Sequence, residues 1–270
     1  MMTTDDEAPI LDLLGITLNF GGLRALDDVT FRVAAGEMIG LIGPNGAGKT
    51  TCLRVITGVH APDHGSVRLA GRLLGKASVD ARVRAGLALS NQIVRPLRAL
   101  TVLDNVALAW GRRRVGGLFA GLVHSARGDA RRAAAALLER VGIADLAGHR
   151  ADKLPLGVFK RLEVARAMAL EPRILFLDEP LAGLNHVEAR RLADLIRSLN
   201  ADGLTIVLVE HNLREVVRIC PRLVVLESGR ILADGPAGET IRNPAVIRAY
   251  IGDETAADRG DQAEASDARA

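Results

Sequence analysis

The chain has 270 residues, of which 49% are hydrophobic, 25% charged and only 3% aromatic, proportions that suit one sizeable α/β domain with a smaller lobe and an aliphatic core. A spanning helix needs roughly 18 to 20 apolar residues in a row, and the longest candidate, Val115 to Val123, is shorter and broken by Gly116, Gly117 and Gly121, which argues against a membrane span. The formal net charge of +3 suits a nucleic-acid partner or the headgroup side of a membrane and does not choose between them.

The start, Met1-Met2-Thr3-Thr4-Asp5-Asp6-Glu7, is acidic and lacks the basic flank and apolar stretch of a secretory signal, so a cytoplasmic protein is expected. From Leu13 to about Leu74, short β-like runs alternate with turns: Leu13 to Phe20, Val29 to Val33, Met38 to Ile42 and Ser66 to Leu69. These predict a mixed sheet. From about Thr101 to Ala169 the pattern turns helical, with apolar spacings of three and four in Asp129 to Val141, which predicts a separate helical lobe. Ile174 to Leu177, Thr205 to Val209 and Leu223 to Leu226 are continuous aliphatic runs between helical patterns, the signature of buried parallel strands in a wound sheet. From Asp253 onward Asp, Glu, Ala and Gly mix without periodicity, and the tail is expected to be disordered. Cys52 and Cys220 stand far apart among aliphatic neighbours, which predicts buried free thiols rather than a disulfide or metal site.

Gly43-Pro44-Asn45-Gly46-Ala47-Gly48-Lys49-Thr50 fits G-x-x-x-x-G-K-[ST] and falls between the predicted strand Met38 to Ile42 and an apolar helix from about Lys49. Glycines at 43, 46 and 48 let successive N–H groups converge on phosphate oxygens, and the helix N-terminus adds its positive dipole end. Lys49 would neutralise β/γ-phosphate charge, Thr50 would ligate Mg²⁺ and Thr51 would donate to the α-phosphate. Downstream, Arg173-Ile174-Leu175-Phe176-Leu177-Asp178-Glu179 is an apolar strand ending in two acids at the carboxyl edge, where nucleotides bind in open α/β sheets. Asp178 is expected to hold Mg²⁺ and Glu179 to polarise the attacking water. The run Thr205 to Val209 ends in Glu210-His211, which puts an imidazole at the same edge, placed to sense the γ-phosphate.

A phosphate cradle alone fits kinases, GTPases or helicases. Combined with Asp178-Glu179, Ala182-Gly183-Leu184-Asn185 and His211, it resembles the ABC (ATP-binding cassette) ATPase family over about residues 10 to 252. That resemblance implies an α/β fold with a P-loop core, a wound and mostly parallel sheet, an antiparallel β subdomain and a helical subdomain inserted at about 93–170. Residues 1–9 and 253–270 are expected to be flexible tails. By position, Gln92 resembles the family's glutamine that touches Mg²⁺ or water and joins the helical lobe to the core. Phe20 resembles the aromatic that stacks on adenine; a phenylalanine at a strand end also serves as core.

The family's signature segment, usually Leu-Ser-Gly-Gly-Gln, falls at Leu154-Pro155-Leu156-Gly157-Val158. Pro155 replaces the serine that would bond the opposite subunit's γ-phosphate, and Val158 replaces the glutamine. Gly157 and a helix N-terminus remain, so attraction of an anion by dipole and N–H survives. ABC ATPases resemble one another in closing head to tail, with each ATP between one cradle and the other subunit's signature. The weak signature beside an intact cradle predicts pairing with a second, different ATPase subunit, or else marks a neutral subfamily variation.

Finer features resemble the ATP-binding subunits of branched-chain amino acid importers: Phe20-Gly21-Gly22-Leu23-Arg24-Ala25-Leu26, Asn185, Arg161-Leu162-Glu163-Val164-Ala165-Arg166 and Ala249-Tyr250-Ile251-Gly252. That resemblance implies membrane permease subunits, an extracytoplasmic binding protein, peripheral attachment at the cytoplasmic face of the membrane, and ATP with Mg²⁺ as cofactors. Systems moving urea or amides, aromatic compounds or lipopolysaccharide share the pattern. Arg112-Arg113-Arg114, with Arg127, Arg131 and Arg132, reads as a membrane-proximal surface or as an ordinary solvated helix and loop. The rival class is a soluble, non-transport ABC protein acting on nucleic acid or ribosomes. By resemblance, DNA-repair members carry long coiled-coil insertions and translation factors tandem cassettes, and this chain shows neither, which weighs against nucleic acid as a partner.

Overall fold

The computed structural model describes residues 8–90, 96–114 and 124–250, with 112–114 and 124–127 described by backbone alone. The runs expected to share one mixed sheet divide between two. Strands β1 (Leu11–Phe20), β2 (Leu23–Val33), β4 (His64–Leu69) and β5 (Arg72–Leu73) form an antiparallel sheet in the order β2-β1-β4-β5. Strand β3 (Met38–Ile42) joins the second sheet instead. Burial gives the reason: the last part of β2 alternates buried and exposed side chains, as a sheet with one wet face requires, whereas all of β3 is buried. Strand β2 begins six residues before the aliphatic run Val29 to Val33, because an edge strand tolerates Arg24 and Asp28 on exposed positions and Asp27 on a half-buried one.

The second sheet has the order β10-β9-β3-β8-β7-β6. Strands β3, β6 (Leu87–Leu89), β7 (Ile174–Asp178), β8 (Thr205–Val209) and β9 (Arg222–Glu227) are parallel, and β10 (Arg230–Pro236) closes one edge antiparallel. Side-chain alternation divides each parallel strand between two cores. Ile39, Leu41, Phe176, Val207 and Val224 meet the antiparallel sheet and helix α1 (Lys49–Thr57) through Leu13, Ile16, Phe31, Leu53 and Ile56. Met38, Ile42, Leu175, Leu177, Ile206, Leu208 and Leu223 belong to the opposite core. That core takes in Leu162 of α5 (Leu156–Met168), Leu192 and Ile196 of α6 (His186–Ala201) and Val216 of α7 (Leu213–Ile219), and continues into the three packed helices α3 (Val102–Arg114), α4 (His124–Arg140) and α5. Among the described residues no helix is long and apolar enough to cross a membrane.

Helix α1, which opens at the cradle, is anchored at its far end by an arginine from the short helix α2 (Val79–Arg84). Arg82 is 3% exposed and its guanidinium donates to the carbonyls of Val55 (2.9 Å), Ile56 (2.7 Å), Gly75 (2.8 Å) and Ala77 (3.1 Å). It satisfies carbonyls that a helix C-terminus leaves bare. Arg82→Met keeps the aliphatic stem and strands those carbonyls, so it is expected to lower unfolding stability by about 2 to 4 kcal/mol, read as a lower urea midpoint with unchanged slope.

Cys52 and Cys220 are buried free thiols, as their aliphatic surroundings predict. Burial pushes each up to about 12, so at pH 8 both stay protonated and out of reach. Native protein is expected to resist iodoacetamide at that pH, with two sites alkylated once urea unfolds it, counted by intact-mass spectrometry.

Candidate active site

The segment between β3 and α1 turns on glycines in conformations that L side chains avoid, with Gly43 at φ 150° and Gly46 at φ 75°. At Gly43 space is also closed: a Cβ there would lie 2.1 Å from the Leu226 carbonyl oxygen. Helix α1 has no side-chain cap and no acid in its first turn, so its leading N–H groups are left for an anion. Lys49 is 8% exposed, and its ammonium donates to the carbonyls of Gly43 (2.6 Å) and Pro44 (2.8 Å), across the loop that it closes. Thr50 is exposed, Thr51 half-buried, Asn45 exposed and Ala47 buried.

The sheet register brings the acids to the same edge. Leu41 pairs with Val209, and Val209 pairs with Asp178, so the cradle, the acid pair and Glu210-His211 leave neighbouring strands at one level. Burial, and then the Glu179 charge beside it, pushes the Asp178 carboxyl above the usual carboxylate range, against the pull of Arg54, Lys49 and Lys160. Glu179 is held at φ 48°, a strained position for a non-glycine residue. Its N–H donates to the Val209 carbonyl (2.8 Å), and its own carbonyl accepts from Ala182 N–H (3.2 Å) and the Lys160 ammonium (3.5 Å). The Glu179 and His211 side chains are 49% and 59% exposed, with His211 Nδ1 3.9 Å from Glu179 Oε1. An open carboxylate beside an open imidazole at the mouth of a phosphate cradle has the makings of a hydrolytic centre.

Phe20 closes β1 and is 45% exposed, its ring meeting His60 edge to face at 5.2 Å. The core reading of this phenylalanine is therefore set aside, and nearly half of the residue stands open to solvent. Pro155 occupies the N-cap position of α5 without a side-chain cap, Leu156 is exposed, and Val158 packs against the helical-side core. Gly157 lies beside Glu188, whose Oε1 would be 3.0 Å from a Cβ placed there. Glu188 in turn forms a capping box with Asn185 at the start of α6. This segment thus rests against the first turn of α6, which follows the acid pair in the chain. Gln92 lies outside the described residues, as do Ile251, Gly252 and the apolar run Val115 to Val123.

Three side chains near these groups carry no role in the sequence reading. Lys160 reaches Glu179 from α5, and Glu210 is fully buried beside His211. Tyr250 sets its buried hydroxyl against the Gly43 backbone, where burial pushes the phenol up to about 12. Their positions in the sequence were visible, but their burial and contacts depend on how the chain folds.

Residues 26–182 match the ABC transporter family. The chain is 40% identical over 251 residues to LivG of Salmonella typhimurium, a high-affinity branched-chain amino acid transport ATP-binding protein, with 91% of this chain and 98% of that one covered. It is 38% identical to the corresponding BraF protein of Pseudomonas aeruginosa, at the same coverage. Among solved structures, a nucleotide-free ATP-binding cassette from an ABC transporter superposes with a TM-score of 0.79 at 29% identity, covering 90% of this chain and 99% of that one. A cassette in its ADP conformation superposes equally well, at 28% identity and with 91% and 99% covered. With these matches spanning nearly its whole described length, the chain belongs to the ABC transporter family and is a nucleotide-binding ATPase of that family.

Proposed function

We propose that this chain powers an importer of branched-chain amino acids from the cytoplasmic face of the membrane, docked on integral membrane permease subunits. The observation that carries this reading is the likeness to LivG and BraF over nine-tenths of the chain. An extracytoplasmic binding protein would deliver the cargo. Residues 10–252 would work as one ATPase domain with the helical lobe at about 93–170; of the expected tails, residues 1–7 and 253–270 lie outside the described residues.

In the proposed site, Phe20 stacks on adenine, residues 43–51 wrap the phosphates, and Gly157 with the N-terminus of α5 meets the nucleotide of a facing subunit. Thr50 and Asp178 offer a hydroxyl and a carboxylate, hard oxygen donors that suit Mg²⁺, with Gln92 as a third ligand. Among the described residues no three His, Cys, Asp or Glu side chains form a metal cage, which agrees with an ion held partly by phosphate. Bound there, Mg²⁺ would neutralise charge on the β- and γ-phosphates. Glu179 is the general base, Lys49 steadies the γ-phosphate and His211 senses it.

Pro155 lacks the hydroxyl that would bond the facing γ-phosphate, a loss of about 1.5 to 3 kcal/mol for one charge-assisted hydrogen bond. A second, different ATPase subunit with a complete signature would supply it. The test is ATP-dependent uptake of labelled leucine into proteoliposomes that hold this chain, the permease subunits and the second ATPase. Uptake of urea, amides or aromatic compounds in place of leucine would reassign the cargo. Hydrolysis by a homodimer of this chain as fast as by the full assembly would remove the second ATPase.

A further inference from the structure

Glu210 follows strand β8, and its side chain is 0% exposed. Its two oxygens face different loops. Oε1 accepts the Leu181 N–H at 2.6 Å, and so holds the segment that leads away from Glu179. Oε2 has no hydrogen-bond partner and lies 3.9 Å from His211 Nδ1. The backbone N–H groups of His211 and Asn212 also turn toward the carboxylate. The same Nδ1 stands 3.9 Å from Glu179 Oε1. One imidazole nitrogen thus sits at equal distance from two carboxylates, one buried and the other open to water.

We infer that Glu210 is a positioning residue for hydrolysis, which ties the Glu179 loop to the His211 turn and offers the imidazole a fixed acceptor other than Glu179. An Nδ1–H donates well to one oxygen at a time. If it donates to Glu179, it takes one of the carboxylate's acceptor sites and lowers its basicity toward water. The buried oxygen of Glu210 lacks competing solvent and draws the imidazole more strongly than an exposed carboxylate does. With Nδ1 held there, Glu179 keeps its acceptor capacity. Glu37 and Asp194 take part in separate ion pairs, with Arg222 and Arg218.

The inference rests on Glu179 and His211 having the roles proposed above, and the experiment separates the two claims. Glu210→Gln keeps the shape and one acceptor but removes the charge. In the assembled transporter it is expected to lower kcat for ATP by about ten- to a hundredfold, the factor that one charge-assisted hydrogen bond commands. KM for ATP should stay within about twofold. In the purified chain without nucleotide, the ¹⁵N signals of His211 should shift between tautomers. Unchanged kcat overturns the inference, and so does a fall in kcat with unmoved His211 signals, because that makes Glu210 a structural residue only. If Glu210→Gln yields no folded protein, Glu210→Asp, which keeps the charge but withdraws it by one methylene, is read by the same two measurements. Glu179→Gln and His211→Ala run alongside: if both retain wild-type turnover, the assignment of the site fails whatever Glu210 does.

Discussion

Glutamine at position 179 is expected to lower ATP turnover by about 10²- to 10⁴-fold, the span that removal of a general base produces, with ATP affinity close to wild type. The substitution is nearly isosteric, and the backbone bonds that hold Glu179 at φ 48° involve its N–H and carbonyl rather than its carboxylate, so the strained loop should persist. The side chain is half exposed and carries no core packing, so thermal stability should not change. Single-turnover hydrolysis and equilibrium binding of labelled ATP together give the answer. A variant that binds ATP but retains it uncleaved locates the base at Glu179, whereas residual turnover above a tenth of wild type would move the base elsewhere.

The second large effect is expected at Gly43. Alanine there must place its Cβ 2.1 Å from the Leu226 carbonyl oxygen and 3.1 Å from the Ala47 Cβ, with φ at 150°. Leu226 is on β9, whose ladder with β3 fixes Ile42 opposite Val225, so neither backbone can yield without breaking sheet pairing. Strain and overpacking together predict a stability loss of about 2 to 4 kcal/mol and ATP binding weakened at least tenfold. Gly46→Ala provides the contrast: nothing lies within 4 Å of its Cβ, and only the φ of 75° is unfavourable, at about 1 to 2 kcal/mol. Titration calorimetry with ATP and thermal melts on both variants separate crowding from backbone strain. Equal effects at the two positions would contradict the argument from space.

The cradle, the acid pair and the histidine were legible because each sits where a continuous apolar run stops and polar residues begin. Thr205 to Val209 was placed to the residue, since five aliphatic or β-branched side chains buried on both faces leave no ambiguity. The division into two sheets followed from the family resemblance but was not legible in the local pattern of the runs. Pairing partners such as Leu13 with Phe31, or Ile39 with Val207, depend on contacts distant in sequence that no local period records. The start of β2 was missed because Arg24, Asp27 and Asp28 obscure the alternation. Glu210 was read only as the neighbour of His211, because an acid before a histidine gives no sign that it will be fully enclosed.

The register that aligns Leu41, Val209 and Asp178 also sets a timetable for biosynthesis. Its strands lie far apart along the chain, at 38–42, 174–178 and 205–209, and parallel pairing between distant segments forms late. A ribosome-bound chain therefore makes its phosphate loop early but has no partner strand for β3 until residues beyond 205 have emerged. Nucleotide can stabilise the fold by mass action only after that moment, so the nascent protein must pass most of its synthesis with the aliphatic strand β3 unpaired. That interval, rather than the finished domain, is where its dependence on chaperones should concentrate.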